Sequence, residues 1–382
     1  MPRALSDILA ALAEAAPLSL AEPWDKVGLL VAGDGREVSR ALLAIDVVPA
    51  VLAEARAAGA ELVIGYHPLL FKPLERLDGA TWQGRVALDA VRAGIAVYSP
   101  HTALDAVAGG VNDWLVECVA GGAGAAHGVR ALLPTRARGG NTHKLVTFVP
   151  ENALDRVRSA LAEAEAGRIG LYTHCSFSST GEGTFFGGEG SNPTVGSAGH
   201  LERVRELRLE MAFAARDLPA VVAALRAAHP YEEPAFDIVA LEAPPAADPR
   251  VGAGRVADLA DSATADAIAA RLAPALGVAT IARTRSAPGA AQRRHARFAV
   301  CAGSGASLLD AAAAQGATLF VTGELSHHDV LRAHELGLEV LLAGHTNTER
   351  GYLPRLAARL AADRRLAGVD LVVSRADLDP LC

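Results

Sequence analysis

Apolar positions recur along this chain in two rhythms, short continuous runs and helical stripes, and their alternation predicts sheets covered by helices. In the first third, ALLAIDV reads as a strand and AVLAEARAAGA as a helix. ELVIGYHP reads as a strand and its end, VALDAVRAG as a helix, and IAVYSPHTALD as a strand entering a helix. In the last third, RFAVCAGSG, ASLLDAAAAQGA, TLFVTGELSHH, VLRAHELG and LEVLLAGHTNTE repeat that order element by element. Gly59 and Ala60 correspond to Gly316 and Ala317, and HTALD at 101–105 corresponds to HTNTE at 345–349. Two copies are too few for a solenoid, so a duplicated strand–helix–strand unit forming two facing lobes is the simpler account.

Two stretches interrupt the rhythm: AGGAGAAHG with PTRARGGNT near 119–142, and APPAADPRVGAG near 243–254, both of linker composition. Between them HKLVTFVP, the helical ENALDRVRSALAEAEAG, a Gly/Ser/Thr-rich stretch, ERVRELRLEMAFAA, the helical LPAVVAALRAAHP and FDIVALE suggest two strand–helix–strand halves of a small ferredoxin-like α+β domain. The expected fold class is therefore α/β. Two pseudo-repeated half-domains, over 1–130 and 250–382, form a metal site between them, and an α+β domain is inserted over 140–245.

Composition narrows this picture. With 382 residues, more than one core is expected. A hydrophobic fraction of 51% with aromatics at only 4% favours helices on sheets over an aromatic-rich sandwich. The net charge of −7 and the lack of a Lys/Arg cluster interleaved with aromatics argue against nucleic acid as a partner. Cys118, Cys175, Cys301 and Cys382 are scattered and form no CxxC pair, which argues against both a disulfide framework and a cysteine zinc site and fits a reducing compartment. No uncharged apolar stretch reaches the ~18 residues of a membrane helix, and the start LSDILAALAEAA carries Asp7 and Glu14, unlike a signal peptide. A cytoplasmic protein with no membrane partner is expected.

Candidate chemistry gathers where ligands gather in α/β sheets, at the carboxyl ends of strands. His67 follows LVIGY and His101 follows IAVYSP; Glu324, His327 and His328 follow LFVTG, and His345 follows VLLAG. His101 and Asp105 are four apart, as are His345 and Glu349, so each pair lies on one face of any helix it opens. Imidazole with carboxylate suits zinc, manganese or iron. A single strand-end histidine is most often a hydrogen-bonded structural residue, but two such pairs at matching places of a repeat are hard to assign to chance. His101 is either a ligand or the residue that orients one. His327 and His328, adjacent and so about 100° apart on a helix, can present only one ring squarely to a site. His127, His200, His295 and His334 sit in linker or helical surface contexts and receive no role. HPYEEPAFDIV at 229–239 could bind a cation through Glu232 and Glu233, but a turn fixed by Pro230 and Pro234 explains it better. GTFFGGEGSNPTVG lacks the Lys-Ser/Thr ending of a phosphate loop. CAGSG could offer amides to an anion at a helix start, with packing glycines an equal account.

Together GYHPLLF, HTALDAVAGGVND, GRIGLYTHCSFSSTGEGTF, HPYEEPAFDIV, CAGSG, TGELSHHD and GHTNTERGYL resemble the Nif-three-like family of dinuclear-metal proteins, often labelled GTP cyclohydrolase I type 2 homologues. The match runs from about 21 to 353. The resemblance implies a toroidal homohexamer with two divalent ions per subunit, and a middle segment similar to PII or CutA proteins. Carried over by motif, His67, Asp105, His345 and Glu349 are ligands, with the glutamate bridging both ions. Tyr66 departs from the histidine many members carry there, which implies either that one ion is held more weakly or that His101 or water helps to hold it, and Lys26 departs from the family's usual WDN. Two ions with a bridging water suit hydrolysis at carbon or phosphorus, with His327, His328 or Glu324 transferring the proton to a leaving group. The implied function is a metal-dependent hydrolase acting on a nucleotide or other phosphorylated small molecule. The alternative is a non-enzymatic ring-shaped metal-binding regulator whose middle domain senses a ligand or partner.

Overall fold

The computed structural model describes residues 2–135, 141–169, 172–242, 248–284 and 293–381. Parts of both expected linkers, at 136–140 and 243–247, lie outside these residues, as does Cys382. The protein has a mixed α/β fold with several sheets and helices, in two compact units: residues 1–135 with 246–382, and residues 136–245.

In the first unit, a five-stranded sheet runs in the order Gly28–Ala32, Ala96–Ser99, Leu62–Gly65, Arg40–Ala44, Asp370–Val373. All its neighbours are parallel except the first pair. Leu62–Gly65 and Ala96–Ser99 are buried at every position, as strands covered on both faces must be. The helix Pro49–Ala58 begins on proline, whose fixed φ suits a first turn, and ends at Gly59 with φ 67°, where only glycine is unstrained. A six-stranded sheet runs in the order Ala282–Arg283, Glu339–Leu342, Leu319–Glu324, Arg294–Ser304, Arg255–Thr264, Ala126–Arg130; the second, third and fourth strands run parallel and the other three pairings are antiparallel.

The sheets do not coincide with the sequence segments. Asp370–Val373, from the last segment, pairs with Arg40–Ala44 of the first, while Ala126–Arg130 pairs with Arg255–Thr264 of the last. Each segment thus supplies an edge strand to the other's sheet. One buried cluster draws on both sheets, including Leu43, Ile64, Val300 and Val321, with the helices Leu5–Ala15, Val111–Ala120, Ala265–Leu276 and Leu353–Ala361 contributing. Arg255, fully buried, pairs with Asp113 at 3.0 Å and donates to the carbonyls of Gly252, Gly254 and Val107, so its charge is compensated inside the core.

The second unit is a four-stranded antiparallel sheet in the order Phe236–Ala240, His143–Pro150, Leu201–Phe213, Phe177–Phe186. The helices Leu154–Glu163 and Leu218–Ala228 bury Val157, Leu161, Val221 and Leu225 against Leu145, Leu209 and Phe213. Phe177–Phe186 occupies the Gly/Ser/Thr-rich stretch of the sequence. As an edge strand exposed along most of its length, it carries no apolar alternation to betray it. No helix among the described residues is long and apolar enough to cross a membrane.

Candidate metal centre

The expected site residues all lie in the first unit. The strand Leu62–Gly65 ends on a glycine whose Cβ, if present, would meet Val47 Cγ2 at 2.3 Å; Tyr66 and His67 follow. After the strand Ala96–Ser99, Ser99 Oγ donates to the Tyr66 carbonyl at 2.7 Å, and His101 opens the short helix His101–Ala106. His345 leaves the strand Glu339–Leu342 through Gly344, whose φ is 87°, and Glu349 lies in the turn of helix that follows.

His67, His345 and Glu349 offer ligand atoms that all lie within 4.8 Å of one another. Glu349 is 3% exposed, and its two oxygens face different rings: Oε2 lies 3.4 Å from His67 Nε2 and Oε1 3.5 Å from His345 Nε2. Oε2 is shielded from solvent and has no hydrogen-bond partner among the described residues. Gly303, with φ 65°, closes the site from the six-stranded sheet; a Cβ on it would meet Glu349 Oε1 at 2.7 Å and His345 Nε2 at 3.1 Å.

Each imidazole is turned by a carboxylate on its other nitrogen. Asp46 Oδ1 bonds His67 Nδ1 at 2.9 Å, Glu324 Oε1 bonds His345 Nδ1 at 3.0 Å, and Asp25 Oδ1 bonds His101 Nδ1 at 2.7 Å. A carboxylate on Nδ1 favours a proton there, so that a neutral ring would keep its lone pair on Nε2. The left-handed φ of His101, 33°, is costly for a non-glycine residue and is held by Asp25, which also accepts from the Thr102 amide at 3.1 Å. The His101 ring centroid lies 5.5 Å from that of His67. The Tyr66 hydroxyl donates to Asp105 Oδ1, so the tyrosine occupies one oxygen of that carboxylate.

The electrostatics show a surplus of buried negative charge. Burial pushes the Asp105 carboxyl up to about 6, with the Glu349 charge adding to the rise and the Tyr66 hydrogen bond opposing it. Burial alone would lower His67, but Asp46 and Glu349 outweigh it and push the imidazole up to about 10. Burial also works to raise Asp46, yet its hydrogen bond to His67 holds it below the usual range. A proton on His67 therefore offsets part of the carboxylate charge around it.

The other expected residues are placed differently. Glu324 orients His345 instead of standing free for proton transfer. His327 and His328 are exposed at the start of the helix His327–Glu335, outside the cluster, with ring centroids 5.6 Å apart. Sequence reasoning missed Asp46 and Asp25. Asp46 lies two residues past the strand Arg40–Ala44, the same carboxyl-end placement that flagged the histidines, and Asp25 stands beside Lys26. His229 and its turn belong to the second unit, where the ring bonds the Phe148 carbonyl and the Tyr231 amide.

Comparison with known proteins agrees with the motifs. The profile of the family Duf34/NIF3 (NGG1p interacting factor 3) matches residues 3–380. A Halalkalibacterium halodurans protein named GTP cyclohydrolase 1 type 2 homolog is 36% identical over 334 residues, covering 87% of this chain and 86% of that one. The crystal structure of a Bacillus cereus protein related to NIF3 superposes with a TM-score of 0.65 at 30% identity, over 100% of this chain and 99% of that one. A Staphylococcus aureus structure, at TM-score 0.74 and 24% identity over 100% of this chain and 99% of that one, shares the fold.

Proposed function

This chain belongs to the Duf34/NIF3 family, and from that premise we propose that it is a dinuclear metal-dependent hydrolase. The observation that carries the reading is the buried Glu349 carboxylate between two imidazole nitrogens, with one oxygen lacking any hydrogen-bond partner among the described residues. Such an oxygen is costly unless a cation meets it. In this reading His67, His345 and Glu349 would hold two divalent ions together with Asp105 and His101. The donors are nitrogen and oxygen only, which fits zinc, iron or manganese. Bound there, divalent ions supply Lewis acidity and a nucleophile at neutral pH.

The protein's own residues do the rest. Asp46, Asp25 and Glu324 aim the three rings, Tyr66 holds Asp105 against the cluster, and Gly303 leaves the space in which Glu349 can present both oxygens. One of His327 and His328 is the candidate proton donor to a leaving group, the Glu324 carboxylate being bonded to His345 Nδ1. The name of the Halalkalibacterium halodurans relative supports a nucleotide or other phosphorylated small molecule as substrate. The repeated halves, a ferredoxin-like, PII- or CutA-like middle unit, a homohexameric ring and a cytoplasmic location belong to the same reading. The order of strands and helices in each unit supports its first two parts.

The test is elemental analysis of protein purified without chelator, for wild type, His345→Ala and Glu349→Ala, with a screen for hydrolysis of GTP and phosphoesters. Near two equivalents of metal, lost in both variants together with turnover, supports the hydrolase. Metal without turnover moves the reading to a metal-binding regulator, and wild type that cannot be loaded with metal overturns it.

A further inference from the structure

Two motifs singled out in the sequence play no part in the metal centre: the glycine-rich stretch after residue 180 and the HPYEEP turn. In the second unit they line the same cavity, of about 610 Å³. Its floor comes from Phe148 and the hairpin strands Phe177–Phe186 and Leu201–Phe213, and its rim from Asn192 to Thr194 and from Tyr231 to Glu233. The rim is tied together: Thr194 Oγ1 donates to the Pro230 carbonyl at 2.8 Å, and the Asn192 amide to Glu232 Oε2 at 3.3 Å. A volume of this size lies in the range that holds small organic ligands.

The glycines make room for a guest. A Cβ on Gly183 would come within 2.1 Å of Glu206 Oε2, so only glycine there lets that carboxylate lie across the strand. A Cβ on Gly181 would meet nothing within 4 Å, because it would enter open space at the cavity wall.

The lining decides the charge of the guest. Glu182 is matched by Arg203 at 2.7 Å, and the lining cation Arg208 is matched by Glu210 at 2.8 Å. Among the described residues Glu206, Glu232 and Glu233 form no ion pair, which leaves the cavity negative. The Tyr231 hydroxyl is shielded from solvent, and burial together with the nearby Glu206 carboxylate pushes the phenol well up. Phe148, Phe185 and Tyr231 add aromatic faces, and the Arg208 guanidinium already lies 5.9 Å from the Phe148 ring centroid, so that ring accepts a cation.

We propose that this cavity binds a small organic cation, an ammonium or amidinium compound with an apolar body. Unpaired carboxylates exclude anions, and aromatic walls around them favour a cation with carbon surface over a bare, strongly hydrated ion. The site is independent of the metal centre and stands or falls without it.

The test is calorimetric titration of the full-length protein with spermidine and with benzamidine, and with citrate as the anionic control, at ~0.15 M salt to screen weak surface attraction. Saturable binding of either cation at one per chain, weakened about tenfold in Glu206→Gln and abolished in Gly181→Val, with citrate silent, is the expected result. Circular dichroism checks that Gly181→Val is folded; if it is not, Glu206→Gln alone decides. No binding of either cation, or cation binding that both variants leave unchanged, overturns the proposal. Citrate binding in place of the cations overturns it as well. Unchanged cation binding with a smaller assembly in Gly181→Val assigns the surface to a contact between copies and likewise overturns it.

Discussion

Asp46 bonds the nitrogen of His67 that points away from Glu349, so its carboxylate decides where the other nitrogen points. Asp46→Asn keeps the shape but removes the charge that makes the imidazole a strong donor. Bound metal is expected to weaken 10–100-fold, read by competition with a chelator, while the melting temperature of the metal-free protein changes little. Gly303→Ala tests the space instead of the charge. The left-handed backbone costs an alanine roughly 1–2 kcal/mol. Its Cβ would also displace the Glu349 oxygen that lies 2.7 Å away. The expected outcome is a folded protein with metal content near that of Glu349→Ala; full metal content in Gly303→Ala would show that Glu349 is not a ligand.

At the scale of elements, the end of the chain completes the sheet that carries His67. Asp370–Val373 pairs with Arg40–Ala44, and the buried Asp377 accepts the Ile45 amide at 2.6 Å while its charge meets Arg350. Asp377→Ala leaves a buried N–H without a partner and is expected to cost about 1–3 kcal/mol in urea denaturation. Because Ile45 immediately precedes Asp46, chelator competition on the same variant should show a looser metal site. An unchanged urea midpoint would mean that water replaces the carboxylate.

At the scale of the whole molecule, the second unit has its own core, and its behaviour should be separable from that of the first. Leu161→Ala, at a fully buried position, is expected to cost that unit about 2–5 kcal/mol while leaving bound metal unchanged, read by calorimetry with elemental analysis. His229 gives the unit a pH dependence. Burial holds its folded-state pKa below the ordinary value near 6.5. Above that value the ring is neutral both folded and unfolded, and the stability is fully present. As pH falls below it the unfolded chain takes up a proton that the fold resists, so stability is lost toward the folded pKa. Urea midpoints of the unit should therefore fall as the pH drops below the ordinary histidine value of about 6.5, and His229→Gln should flatten that slope.

The sequence by itself determined the elements and the candidate ligands. Continuous apolar runs such as LVIG and VLLA, set between helical stripes, read as strands covered on both faces, which puts the residues just past them at the sheet's carboxyl edge. That local logic placed His67, His101, His345 and Glu349, and motif resemblance added the family. It did not find Asp25 or Asp46, because a carboxylate that orients a ring is defined by a partner 76 or 21 residues away, and no local periodicity encodes that pairing. It did not find the strand Phe177–Phe186, whose exposed glycines and hydroxyls lack an apolar face. Nor did it find the exchange of edge strands between the two sheets. Which strand closes which edge depends on apolar surface left uncovered elsewhere in the fold, and only the tertiary structure decides that.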